Sequence, residues 1–525
     1  MNEPSATLAR NFASVGGATA ASRILGFVRD MLLAAVIGAG PIADAFFAAF
    51  RFPNLFRHLF AEGAFNSAFI PLFAKALEQK GDQQARAFAR AVLSWLIAVL
   101  VVVTVLAEIF MPAVIAVFVP GFLDDPEKFD LTVLLTRICF PYLACMSLMA
   151  AYGGILNGLR YFFVAAFAPV LLNAVLIVVL GAWVIWVETG TERASIALAV
   201  SVLVGGFAQL GIVVWGLARA GHFPGLVWPR LSPDVGRFWA LALPAILTGG
   251  ITQINIFIGT IIASQSDSAI SYLYYADRLY QLPLGVVGIA IGVVLLPELS
   301  RHLKGERATE AANAQNQSLF LALLLTLPAT IGLITIAEPI IRVLFERGAF
   351  DVVATTNTAA ALVAFATGLP AFVLIKIFQP GFFAREDTRT PTLFAFISAL
   401  ANIGLSLALF PSLAHVGIAL ATSIAAWLNT ALLVITLVRR RHFTPTAPQL
   451  RRYANLVIAS TVMAVVLMVA AIPSDFYLRP DSGLIAQIAA LGALILCGAA
   501  SYFLVAHLTG AQRIGRLFAA LRGRP

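Results

Sequence analysis

The chain has 525 residues, 60% hydrophobic and 12% charged, with a formal net charge of +9; its mean hydropathy is +0.91. A soluble chain carries about 25% charged residues, so water is excluded as the main solvent. In such a chain the placement of charge says more than its sum, and nucleic acid is not an expected partner.

Met1 to Arg10 lacks the apolar core of a cleavable signal, so the first hydrophobic segment reads as a retained helix. Runs of about 20 apolar residues, enough to cross roughly 30 Å of hydrocarbon, then recur along the chain. Clear examples are Ala91 to Phe118, Val164 to Val187, Ser195 to Leu217, Ser318 to Ala337 and Leu484 to Leu508. About fourteen are expected, several interrupted by charge or proline. They are too long and too uniformly apolar for barrel strands, so the expected fold class is an all-α polytopic membrane protein.

The first expected span reads Ser22-Arg23-Ile-Leu-Gly26-Phe-Val-Arg29-Asp30. Arg23 and Asp30 share a helical face, whereas Arg29 is rotated by about 100° from Asp30; a bend at Gly26 would bring both arginines to one cavity. The second span carries Asp44, Arg51, Asn54, His58 and Glu62 at helical spacing, with Arg57 beside them and Pro53 as an expected kink. The eighth carries Ser271, Tyr274, Asp277, Arg278 and Gln281, followed by Pro283.

Alternating loops are basic, and they hold 23 of the 35 Lys and Arg. The opposite loops hold only Lys128, Arg193, Arg342, Arg347 and Arg479, the first of them amid Asp124, Asp125, Glu127 and Asp130. By the positive-inside rule both termini are expected in the cytoplasm. The remaining seven cations, Arg23, Arg29, Arg51, Arg57, Arg137, Arg278 and Lys376, fall within or near the ends of spans. Arg137 and Lys376 read as snorkelling or locally paired. Arg51 either lines a cavity or balances Asp44.

The two halves repeat. Pro71 matches Pro297 at an offset of 226, Pro112 and Gly121 match Pro339 and Gly348 at 227, and Pro141, Arg160 and Asn173 match Pro370, Arg389 and Asn402 at 229. Six helices per copy give an expected N-lobe (1–225), a C-lobe (226–442) and a terminal helix pair with a basic tail (443–525). An even number of spans per copy places the relating axis along the membrane normal.

An intramembrane Arg costs about 2.5 to 3.5 kcal/mol on the insertion scale, so the clustered arginines face protein or a watery cavity. Internal pairing of Arg23 or Arg29 with Asp30, and of Arg278 with Asp277, accounts for part of the charge. The basic excess on the second span suits an anionic cargo, a phosphate or diphosphate in particular. No P-loop, Gly-x-Ser-x-Gly elbow or metal-ligand spacing occurs, and Cys139, Cys145 and Cys497 read as packing residues. No cofactor and no enzyme activity are expected.

The runs Ser22 to Asp30, Ala43-Asp-Ala-Phe-Phe47, Phe52-Pro-Asn-Leu-Phe-Arg57 and Phe60-Ala-Glu-Gly-Ala-Phe65 resemble the MurJ (MviN) family of bacterial lipid II flippases, within the MOP exporter superfamily. Tyr274 to Leu279, Pro380 to Phe383 and Arg385 to Pro391 extend the resemblance through the second half. The resemblance implies fourteen helices in two lobes plus a final pair, and alternating access that moves lipid II across the bacterial inner membrane, driven by membrane potential or an ion gradient. It implies Arg23, Arg29, Arg57 and Arg278 as substrate-binding residues. Ser22, Asp30, Asp44, Asn54, Glu62, Asp277 and Gln281 are the supporting polar and charge-balancing set. Gln281 departs from relatives with Glu there, which bears on any proton role. Lipid II and membrane lipids are the expected partners, with a monovalent ion and cell-wall synthesis proteins as further candidates. The rival readings are a flippase for another polyprenyl-diphosphate-linked sugar, a MATE-like drug or cation antiporter, and a scaffold for cell-wall enzymes.

Overall fold

The structure is a computed structural model that describes residues 3–57, 68–305, 307–479 and 482–512. In chain order the helices are α1 (Glu3–Ile37), α2 (Pro41–Arg57), α3 (Ile70–Lys80), α4 (Asp82–Phe118), α5 (Pro126–Cys139), α6 (Tyr142–Gly158), α7 (Phe162–Trp186) and α8 (Glu192–Arg219). They continue with α9 (Pro233–Ala263), α10 (Ala269–Lys304), α11 (Ala308–Thr335), α12 (Ala337–Phe345), α13 (Val352–Phe383), α14 (Arg389–Arg439), α15 (Ala447–Leu478) and α16 (Leu484–Leu508). No strand occurs among the described residues, as lipid demands of a chain that must satisfy its backbone locally.

Nine stretches among the described residues are long and apolar enough to cross a membrane. One of them, α14, contains two helices folded at Ala414 (φ 46, ψ −132). Outside the nine stand α1, α2 and α10, whose internal charges the sequence singles out.

Side chains and left-handed residues stop the helices, and they do so alike in both halves. Asp125 accepts the Lys128 N–H at the start of α5, and Asp351 accepts the Ala354 N–H at the start of α13. After α8, Gly221 (φ 68) turns the chain so that the His222 N–H reaches Leu217 O. After α14, Arg441 (φ 57) does the same and the His442 N–H reaches Leu437 O.

The chain forms two compact units, Met1–Ser271 with Arg347–Phe350, and Tyr272–Glu346 with Asp351–Pro525. In the first, Phe52 packs edge-on against Phe118 and tilted against Phe140, joining α2 to the ends of α4 and α5. In the second, Gly368 lets α13 approach α14 closely: an added Cβ would lie 2.8 Å from the Ser423 Cα. Ser423 Oγ donates across this contact to Ala364 O at 2.7 Å, and Thr430 Oγ1 to Ala371 O at 3.0 Å. A second core in this unit, including Leu324, Met463, Leu467, Leu494 and Tyr502, seats α15 and α16 on α11.

Candidate functional site

On α1, Arg29 and Asp30 are both buried. The Arg29 guanidinium donates from Nη2 to Asp30 Oδ1 at 2.7 Å, from Nε to the same oxygen at 3.1 Å, and from Nη1 to Asn173 Oδ1 at 2.9 Å. Asn173 in turn donates to Ser22 O at 2.9 Å, bracing α7 against α1 one turn below Gly26. Of the two pairings open in the sequence, Arg29 with Asp30 is the one formed, while Arg23 is exposed. Gly26 lies inside a continuous helix and faces Asn173, whose Nδ2 would stand 3.6 Å from a Cβ.

On α2, Asp44 is fully buried, and its acid is met by a residue expected elsewhere. Lys128, expected in the acidic loop of Asp124, Asp125, Glu127 and Asp130, is the third residue of α5 and is buried, with Nζ 3.0 Å from Asp44 Oδ2 and 4.1 Å from the Phe122 ring centre. That expectation is corrected: the acids around Lys128 suggest water, but its long stem carries the ammonium inward to Asp44. Asp44 Oδ1 also accepts the Ser271 N–H at 2.9 Å. Arg51 donates to Thr260 Oγ1 on α9 at 3.0 Å, and Arg57 donates from Nε to Asn54 Oδ1 at 3.2 Å. Pro53 lies within α2. His58 and Glu62 lie outside the described residues.

In the second unit, Arg278 is half-buried on α10; it donates to Tyr274 Oη at 3.3 Å and sits 4.8 Å above that ring. Asp277 accepts a short hydrogen bond from Gln281 Nε2. Lys376 and Arg137 are exposed on their helices.

Asn173 and Lys128 are the residues that sequence reasoning missed. Asn173 carried one signal, its place in the repeat; Lys128 carried none, since its partner is 84 residues away. Among the described residues no three His, Cys, Asp or Glu stand together as a metal site would require. Cys139 and Cys145 are buried and Cys497 is exposed, all as free thiols.

Nine stretches among the described residues long and apolar enough to cross a membrane, beside helices α1, α2 and α10 that carry buried or half-buried guanidinium groups, define a multi-pass membrane protein. Its fold is similar to that of an inward-facing multidrug resistance MATE family transporter of the MOP superfamily, with a TM-score of 0.64 at 15% identity over 80% of this chain and 94% of that one. The family model for the lipid II flippase MurJ matches residues 33–477, and the chain belongs to that family. It is 50% identical over 512 residues to a probable lipid II flippase MurJ of Rhizobium tropici, covering 97% of this chain and 96% of the relative. It is 36% identical over 509 residues to the lipid II flippase MurJ of Burkholderia cenocepacia, covering 94% and 96%. A solved lipid II flippase MurJ in an inward closed conformation superposes with a TM-score of 0.76 at 26% identity, over 94% of this chain and 98% of that one.

Proposed function

We propose that the chain moves lipid II from the cytoplasmic to the periplasmic face of the inner membrane by alternating access, with both termini in the cytoplasm. The observation that carries this reading is the family match across residues 33–477 in a chain that buries Arg29 on α1. Fourteen crossings, as two six-helix lobes (1–225 and 226–442) and a terminal pair (443–525), are part of it. The matching caps at Asp125 and Asp351 support the duplication.

Arg23, Arg57 and Arg278 supply guanidinium forks to the diphosphate, whose paired oxygens suit bidentate donors. Arg29 starts from Asp30 and Asn173, so a phosphate that reaches it must displace the Asp30 carboxylate. Asp30 is thus the internal stand-in for the ligand's charge when the cavity is empty. Cations carried within the field make the transition sensitive to membrane potential, at about 2.3 kcal/mol per charge per 100 mV. A monovalent ion compensates the ligand's charge during the cycle, and cell-wall synthesis proteins supply or consume the lipid.

The test is headgroup accessibility in cells depleted of the native flippase, read with an impermeant modifying enzyme. Wild type restores modification at the outer face and Arg29→Ala or Arg278→Ala does not. Full export by either variant would remove the binding-site reading.

A further inference from the structure

Helix α3 does not run on into α4; Gly81 (φ 79) separates them and α3 lies as a short amphipathic element. Its apolar side is fixed by Phe73, which stacks on Phe69 at 5.7 Å and lies 3.3 Å from where a Cβ on Gly158 of α6 would stand. Phe69 stacks on Phe88 of α4 at 5.6 Å. The face of α3 beside Phe73, from Leu72 and Lys75 to Ala76, Gln79 and Lys80, opens on a cavity of about 390 Å³ that it shares with the first turns of α4 and α9.

The linker from α8 to α9 completes this cavity because α4 holds it in place. Arg90 donates to Pro224 O at 2.8 Å, Ser94 Oγ accepts the Val227 N–H at 3.0 Å, and Trp95 donates to Arg230 O at 3.0 Å. These bonds carry the chain to Ser232, the N-cap of α9, and so bring Arg237 to the cavity.

The wall is amphiphilic. Leu72, Phe88 and Ala91 give an apolar floor, while Lys75, Lys80 and Arg237 give a cationic rim that outnumbers the one acid present, Asp234. Among the described residues none of the three cations forms an ion pair, and the nearby Asp82 is already held by Arg86 at 2.5 Å and His222 at 3.2 Å. The depth fits a headgroup: α4 has 37 residues, about 55 Å of helix against roughly 30 Å of hydrocarbon, so its first turns stand at the membrane boundary.

We propose that the α3–α4–α9 cavity is a binding site for the phosphate of an anionic membrane phospholipid, with the glycerol and upper acyl carbons on the Leu72–Phe88–Ala91 floor. The chemistry shared with a free phosphate ion is the cationic rim; the apolar floor selects the lipid. The site is separate from the α1, α2 and α10 arginines and does not depend on what they carry.

The experiment is native mass spectrometry of the full-length protein titrated with dioctanoyl phosphatidylglycerol, with dioctanoyl phosphatidylcholine and inorganic phosphate as separate arms. Wild type retains one tight phosphatidylglycerol, not displaced by matched inorganic phosphate. Lys75→Gln with Arg237→Gln weakens it about thirtyfold, at about 1 kcal/mol per cation removed, and Leu72→Gln weakens it without changing the rim charge. Lys80→Glu gives a second measure of the rim if the double variant is poorly made. Equal retention by wild type and rim variants, equal retention of phosphatidylcholine, or displacement by matched phosphate would each overturn the proposal.

Discussion

Asp44 Oδ1 accepts the backbone N–H of Ser271 at 2.9 Å, and the two residues stand 227 positions apart, the same interval that relates Gly121 to Gly348. The glycines themselves are reciprocal: an added Cβ on Gly121 would come 2.2 Å from Ser264 O, and one on Gly348 2.2 Å from Ala35 O. Ser264 and Ala35 are 229 apart. This end of the first unit is therefore fastened by matched close approaches with a buried ion pair among them.

That ion pair sets the first prediction. Removing one partner of a buried pair strands the other charge and costs about 3 to 5 kcal/mol, whereas replacing both by apolar residues is near neutral. Lys128→Met should lower the thermal unfolding midpoint clearly, and Lys128→Met with Asp44→Leu should recover much of it. A single variant that unfolds with wild type would contradict the burial of the Lys128 ammonium.

The close approaches give a second. Gly121→Ala cannot be accommodated without moving Ser264, while Gly40→Ala has nothing within 4 Å. In a background with the exposed Cys497 replaced by Ser, a Ser264→Cys thiol should be labelled faster by an impermeant maleimide when Gly121→Ala is present. Gly40→Ala should leave the rate unchanged.

Arg29 is constrained by shape as well as charge. Its guanidinium donates to Asp30 and to Asn173 on two different helices, a fork that a lysine cannot reproduce. Arg29→Lys should fail to restore outer-face lipid II in depleted cells, and Asn173→Ala, which removes one hydrogen bond to a charged group, should reduce it about tenfold with the protein still present in the membrane. Full rescue by Arg29→Lys would reduce the site to a point charge.

Much of this was legible in the sequence because lipid enforces it. Twenty-residue apolar runs and misplaced arginines announce spans and an interior surface, and Arg29 with Asp30 was one of two readable pairings. What was not legible lies in tertiary partners. Lys128 sits among four acids in sequence, yet its ammonium crosses to Asp44. Asp277 neighbours Arg278, yet it accepts from Gln281 one turn on. The turn residues were readable in retrospect: Gly221-His-Phe and Arg441-His-Phe close α8 and α14 with the same hydrogen bonds.

Outside the spans, pH acts on the contact between Asp387 and Arg440. The Thr390 backbone N–H first, and then the Arg440 guanidinium at 2.6 Å, hold the Asp387 carboxyl down to about 2. A depressed carboxylate stabilises the fold above its unfolded value of about 3.9 and loses that contribution as pH falls towards 2. Asp387→Asn should therefore be less stable than wild type at neutral pH, by about 0.2 to 1 kcal/mol for so exposed a pair. The gap should close between pH 4 and 2 in unfolding measurements; a constant gap would place the effect elsewhere.

The central claim is that the arginines of α1, α2 and α10 hold a diphosphate. Its most direct measurement is the affinity of purified protein for lipid II, compared between wild type, Arg29→Ala and Arg278→Ala at matched folding. The account predicts a loss of about tenfold or more for each variant, weakened further by salt, since a charge-assisted fork contributes roughly 1.5 to 3 kcal/mol. Affinities equal to wild type in both variants, or tighter binding of a cationic drug than of lipid II, would contradict it.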